Sequence, residues 1–234
     1  LDRLVKKDRL AAATKDAALH RIHGTTDYAP LKDCDLVIEA ATENEALKLE
    51  ILRKVDAVAR PAALLATNTS SISITKLAAA TGRPAQFLGM HFFNPVPVMA
   101  LVELIRGLQT ADATVDRVAA FAKALGKTPI VVRNSPGFVV NRLLCPMINE
   151  AVFVLQEGLA TAEEIDSGMK LGCNHPIGPL ALADLVGLDV MLAVMEVFAR
   201  DFNDPKYRPA PLLREMVAAG YLGRKTGRGF HHYD

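Results

Sequence analysis

Two apolar runs set the terms on which this chain can fold. Residues 35–41 and 63–67 are too short for helices and too apolar for loops, while residues 45–59 between them have the length and composition of a helix. A strand, a helix and a second strand in that order call for a crossover connection, which makes the sheet parallel and covers both of its faces. The pattern continues with buried runs at residues 87–90, closed by His91, at 101–105 and at 129–132. Residues 112–125 form an amphipathic helix with Val115, Val118, Phe121, Ala122 and Leu125 on one side, ended by Gly126. Ser71 or Ser73 caps the helix that carries Ile74, Leu77 and Ala78.

The two ends of the chain read differently. Residues 1–9 and 14–22 have a helical period, with Arg3, Lys6, Lys7 and Arg9 on one cationic face, and residues 22–26 suit a short strand. From residue 138 no strand pattern returns. Helices are expected at 138–157, 161–171, 179–186, 188–202 and 211–219, with Thr161 and Glu164 as a capping box. Proline and glycine punctuate residues 134–137, where the period switches, so the expected division is an α/β unit at residues 1–133 and an all-α unit at 134–234.

Composition excludes several function classes. With 27 basic against 26 acidic residues in 234, net charge +1, the chain lacks the basic excess of a nucleic-acid binder. No apolar run approaches a membrane span, and no signal-peptide pattern opens the chain, so a soluble, cytoplasmic protein is expected. Cys34, Cys145 and Cys173 are widely spaced, which argues against a zinc site or a disulfide framework and for three small core residues in a reducing compartment. His231 and His232 read as a solvated tail rather than metal ligands, so no metal is expected. The Gly-Arg-Lys-Thr run at 223–226 lacks the upstream glycine of a phosphate loop.

Polar groups in apolar company mark the chemistry. Glu103 lies inside Leu101-Val102-Glu103-Leu104-Ile105, where a buried carboxylate is costly unless a donor or cation meets it, and an imidazole is a natural partner. A histidine at a strand end, with one nitrogen held by a carboxylate, has a fixed tautomer and suits general acid–base work near neutral pH. Spacing alone favours the plainer reading, with His91 a satisfied core histidine and Glu103 part of a solvated strand face. Prolines 95 and 97 force an extended path out of His91, with Asn94 at the turn.

The run His91-Phe92-Phe93-Asn94-Pro95-Val96-Pro97, preceded by Asn68-Thr69-Ser70-Ser71, closely resembles the L-3-hydroxyacyl-CoA dehydrogenase family. Further matches follow in order: Ser135-Pro136-Gly137-Phe138-Val139-Val140-Asn141-Arg142, Met169-Lys170-Leu171-Gly172, Gly178-Pro179, Gly187-Leu188-Asp189 and Gly223 to Phe230. The resemblance covers nearly the whole chain.

It implies a Rossmann-type dinucleotide-binding α/β domain followed by a helical domain that binds substrate and dimerises, with Leu143, Leu144, Met147 and Ile148 as the apolar set available for a homodimer. It implies NAD as cofactor and an acyl-CoA as substrate, the coenzyme A moiety lying near the cationic first helix. His91 is the implied general base or acid and Glu103 its orienting partner, with Ser70 and Asn141 on the substrate oxygen. Glu43, Lys48, Asn68, Asn94 and Lys225 are the implied cofactor-side residues. The family opens with a glycine loop, yet no G-x-G-x-x-G occurs among the fifteen glycines, so about fifty residues are expected to precede Leu1. Two other activities fit the same pattern: a non-catalytic acyl-CoA-binding relative, and a dehydrogenase of another 3-hydroxy acid.

Overall fold

The computed structural model describes residues 1–233. Two short helices, α1 (Asp2–Val5) and α2 (Ala12–Leu19), lead into a five-stranded sheet. It is built from β1 (Leu36–Glu39), α3 (Glu45–Val58), β2 (Leu64–Thr67), α4 (Ile74–Ala78), β3 (Phe87–Phe92), β4 (Leu101–Arg106), α5 (Asp112–Ala124) and β5 (Thr128–Arg133). Five helices follow: α6 (Val140–Gln156), α7 (Ala162–Gly172), α8 (Pro179–Val186), α9 (Leu188–Phe202) and α10 (Pro211–Ala218). The expected class, a Rossmann-type sheet followed by an all-α unit, is the one observed.

Strand order is sequential, β1 to β5, and all neighbours are parallel except β3 and β4. The strand–helix–strand alternation makes the other neighbours parallel, and the reason for the one antiparallel pair lies between residues 94 and 99. The Pro95 carbonyl accepts from the amides of both Val98 and Met99, so the proline segment is a tight turn, not the extended path expected of it. A turn that short returns β4 beside β3 in the opposite direction.

Strand alternation sorts the side chains onto two faces. Leu64, Ala66, Leu88, Met90, Val102 and Leu104 pack under α5 with Val118 and Ala122. On the other face Leu65, Phe87 and Ile105 pack with Leu52, Val55, Ile74 and Leu77 of α3 and α4. Gly89 faces this way too, and a Cβ there would lie 2.9 Å from both Ile74 and Ile105, so only glycine lets α4 come this close. Ser73, not Ser71, caps α4, its hydroxyl accepting from the Lys76 amide. The helical unit has its own core, centred on Ile148, Leu180, Met195 and Phe198, and its α7 starts with the expected Thr161–Glu164 capping box.

Four further expectations are corrected. Residues 22–26 form no strand; Ile22 is exposed and nothing pairs with the segment. The first helix stops at Val5, so Lys6, Lys7 and Arg9 lie beyond it and share no helical face with Arg3. Of the cysteines only Cys145 is buried, which pushes its thiol up to about 12, whereas Cys173 is exposed at the end of α7. His231 is no solvated tail: Nε2 lies 2.8 Å from the buried Asp166 carboxylate, and its amide donates to Asp184. Among the described residues no cluster suited to a metal ion occurs.

Beneath the carboxyl ends of β1 and β2 sits a buried ion pair. Lys48 Nζ lies 2.5 Å from Glu39 Oε2, both side chains almost wholly buried, and Glu39 also accepts from Thr67 Oγ1 and the Ala41 amide. Burial pushes the Glu39 carboxyl up, but the Lys48 hydrogen bond and the other two donors outweigh it and hold the group below its ordinary value of 4.5. Its stabilisation is therefore fully present above that pH and is lost as pH falls through the lowered folded value. Lys48→Met strands the carboxylate and should cost about 3–5 kcal/mol in urea unfolding at pH 7. Adding Glu39→Gln should recover most of the loss. A single-variant cost below about 1 kcal/mol, the range of exposed pairs, would mean that the pair is solvated.

Candidate active site

Register brings the central groups together. In the antiparallel β3–β4 pair His91 stands directly opposite Glu103, and alternation puts both on the face that also carries Gly89 and Ile105. The carboxylate of Glu103 is fully buried and His91 nearly so. His91 Nδ1 lies 2.8 Å from Glu103 Oε2, and His91 Nε2 lies 3.0 Å from Ser70 Oγ, in the loop after β2. Ser70, His91 and Glu103 thus form one continuous hydrogen-bonded line.

The second oxygen of Glu103 is held by the helical unit. Oε1 accepts from the amides of Val139 and Val140, each at 3.0 Å, where α6 begins. Burial pushes this carboxyl up; the His91 hydrogen bond, followed by the Val140 and Val139 amides, outweighs it and keeps the group below its ordinary value of 4.5. An ionised Glu103 requires a donor at His91 Nδ1; in the neutral imidazole Nε2 is then the acceptor facing Ser70. The sequence suggested the imidazole as partner, and the two amides went unread. Their signal was the Pro136-Gly137 break, which opens a helix whose first amides need acceptors.

The loop after β2 is itself clamped. Glu43 accepts from Thr69 Oγ1 at 2.7 Å and from the Ser70 amide at 3.1 Å, which fixes Ser70 beside His91. Asn68 accepts from the Phe92 amide through Oδ1, tying the same loop to β3. Glu43, Lys48 and Asn68, with Ala40, Ala41 and Thr42, line a crevice of about 210 Å³ at the carboxyl ends of β1 and β2. That is where open α/β sheets take dinucleotides.

Three anticipated residues stand apart from the line. Asn141 follows Val140 in the first turn of α6, half-buried, and Asn94 is exposed at the turn after β3; among the described residues neither side chain has a hydrogen-bond partner. Lys225 is exposed and bound at 2.5 and 2.6 Å to both oxygens of Asp189 at the start of α9. Its ammonium holds the Asp189 carboxyl below the ordinary value. Its segment is pinned by Asp184, which accepts from the Phe230 and His231 amides and from Tyr233 Oη.

A dry carboxylate, an imidazole and a hydroxyl in one line can move a proton to or from an oxygen placed near Ser70. The crevice at the carboxyl ends of β1 and β2 adjoins the same loop, through Asn68. Known proteins share this arrangement of the whole chain. Residues 1–135 match the profile described as 3-hydroxyacyl-CoA dehydrogenase, NAD binding domain, and residues 137–233 match 3-hydroxyacyl-CoA dehydrogenase, C-terminal domain. A crystal structure of (S)-3-hydroxybutyryl-CoA dehydrogenase from Ralstonia eutropha superposes with a TM-score of 0.98 at 69% identity, covering 100% of this chain and 82% of that one. The 3-hydroxybutyryl-CoA dehydrogenase of Clostridioides difficile is 52% identical over 234 residues, 100% of this chain and 83% of that protein. That of Bradyrhizobium diazoefficiens is 52% identical over 233 residues, 100% and 80% respectively. The chain belongs to the 3-hydroxyacyl-CoA dehydrogenase family of NAD-binding oxidoreductases.

Proposed function

We propose that this protein interconverts (3S)-hydroxyacyl-CoA and 3-oxoacyl-CoA of short acyl chain, with His91 and Glu103 as the acid–base pair. The observation that carries the reading is the unbroken line from Ser70 Oγ through His91 to Glu103 and the α6 amides. The relatives' names supply the substrate class.

NAD, when bound, supplies the hydride acceptor or donor. Of the residues expected on the cofactor side, Glu43, Lys48 and Asn68 line the crevice at the strand ends and Asn94 stands on the turn beyond His91, whereas Lys225 is tied to Asp189. Lys48 acts there through its buried pairing with Glu39.

For hydroxyacyl oxidation, His91 Nε2 takes the proton from the 3-hydroxyl while Glu103 holds Nδ1–H and balances the imidazolium that forms. For reduction, the same nitrogen returns the proton to the oxygen. Ser70 Oγ, fixed by the Glu43 clamp, and Asn141 at the opening of α6 bind that oxygen and stabilise the charge it gains. Residues 1–133 act as the cofactor-binding domain and 134–234 as the substrate-binding domain.

The helical domain also supports the homodimer. Leu143 is 70% exposed, and an apolar groove of about 500 Å³ is bordered by Met147, Val154 and Ile165. Ile148, by contrast, is spent on the chain's own core. Three free cysteines suit a reducing cytoplasm, and among the described residues no helix is long and apolar enough to cross a membrane.

The direct test follows NADH oxidation with acetoacetyl-CoA in the natural full-length protein. His91→Gln should lower kcat by about 10²–10⁴-fold, the span of one general acid–base group, with NADH affinity unchanged. Near wild-type turnover would end the assignment, and equal turnover of free acetoacetate would move the substrate to a plain 3-hydroxy acid. Ser70→Ala removes one donor to the substrate oxygen and should cost about 2.7–4 kcal/mol in transition-state binding, read from kcat/KM. A loss confined to KM would reduce Ser70 to ground-state binding.

A further inference from the structure

The segment that joins the two units has an unusual backbone. Gly137 and Phe138 follow one another with φ of +74° and +51°. Glycine takes this conformation freely, but a bulky residue there is uncommon, and asparagine or glycine would serve the turn better. Gly137 has its own reason: a Cβ would fall 2.2 Å from Phe198 of α9. Phe138 has no such explanation in the turn itself, so the reason lies in where its ring goes.

Phe138 is buried, 5% exposed, on the sheet face that carries Phe87 and Ile105 and packs against Ile74 of α4. Its ring centroid lies 5.5 Å from that of the His91 imidazole, in an edge-on arrangement at 64°, while Phe93 flanks the imidazole at 4.7 Å. The two amides that follow Phe138 in the chain are those of Val139 and Val140, both donated to Glu103 Oε1. One residue therefore touches the histidine with its side chain and directs its backbone toward the carboxylate.

We propose that Phe138 is a positioning residue of the His91–Glu103 pair: its left-handed backbone aims the Val139 and Val140 amides at Glu103, and its ring excludes water from His91. The proposal rests on the reading of His91 as the acid–base group. Two consequences separate the roles of backbone and ring. Without the amides, Glu103 becomes a stronger acceptor for Nδ1–H and His91 a stronger base, so a rate limb governed by His91 moves to higher pH. Without the ring, the amides stay in place but water reaches the imidazole, and its Nδ1 proton exchanges faster.

The test uses Phe138→Asn, which tolerates the left-handed backbone and removes the ring, and Phe138→Val, whose branched Cβ resists that backbone. Phe138→Asn should lower kcat by about 100-fold, the scale of a slightly misplaced catalytic group, with KM for NADH within about twofold. It should also speed exchange of the His91 Nδ1 proton in NMR spectra. Phe138→Val should shift the acid limb of (3S)-hydroxybutyryl-CoA oxidation upward. If Phe138→Val does not fold, the asparagine variant decides alone. Unchanged kcat and proton exchange in Phe138→Asn would overturn the proposal, as would a loss confined to KM for NADH. Activity in His91→Gln would instead overturn the reading beneath it.

Discussion

The structure depends on a carboxylate that is needed from two sides. Glu103 sits in the middle of an apolar strand, where an isolated charge would be intolerable, and it is kept there by one imidazole and two helix-opening amides. The imidazole belongs to the sheet and the amides to the first helix of the following unit. The same ion therefore orients the proposed base and fastens the helical unit to the sheet. Its three donors meet only when the two units are docked, one coming from the sheet and two from α6.

A second buried acid, Glu39, plays a more ordinary part. Its partners Lys48, Thr67 and Ala41 all lie within the sheet unit, so it fixes the floor of the crevice without linking anything across the molecule. Glu43, which is exposed, does the finer work of holding Ser70 through a main-chain amide. Three acidic side chains on neighbouring elements thus serve as ballast, clamp and bridge, according to who donates to them.

Much of this was legible before any coordinates. Short apolar runs alternating with helices named the sheet, and the loss of that period after Arg133 named the helical unit. Glu103 stood out by its apolar company, although spacing alone left a solvated strand face open and the family resemblance was needed to choose. What the sequence hid was whatever depends on direction: the prolines after Asn94 forbid a helix but do not say whether the chain runs on or turns back. The amide donors to Glu103 were hidden for a related reason, because main-chain groups leave no residue type to read. His231 was misjudged because neighbours in sequence suggested a tail, whereas its partner Asp166 is far away along the chain. Lys225 is legible as a motif residue, and its pairing with Asp189 is a tertiary fact no local pattern carries.

The register of β3 against β4 has one more consequence. His91 and Glu103 face each other because both strands alternate in step, and a slip by one residue on either strand would send that partner to the α5 side. A slip on β4 would bury the Glu103 carboxylate against Leu88 and Met90, and a slip on β3 would leave no base opposite Ser70. Error in this hairpin is self-announcing: it yields an unstable and inert protein, never a stable one with altered chemistry, so each active molecule certifies its own correct folding.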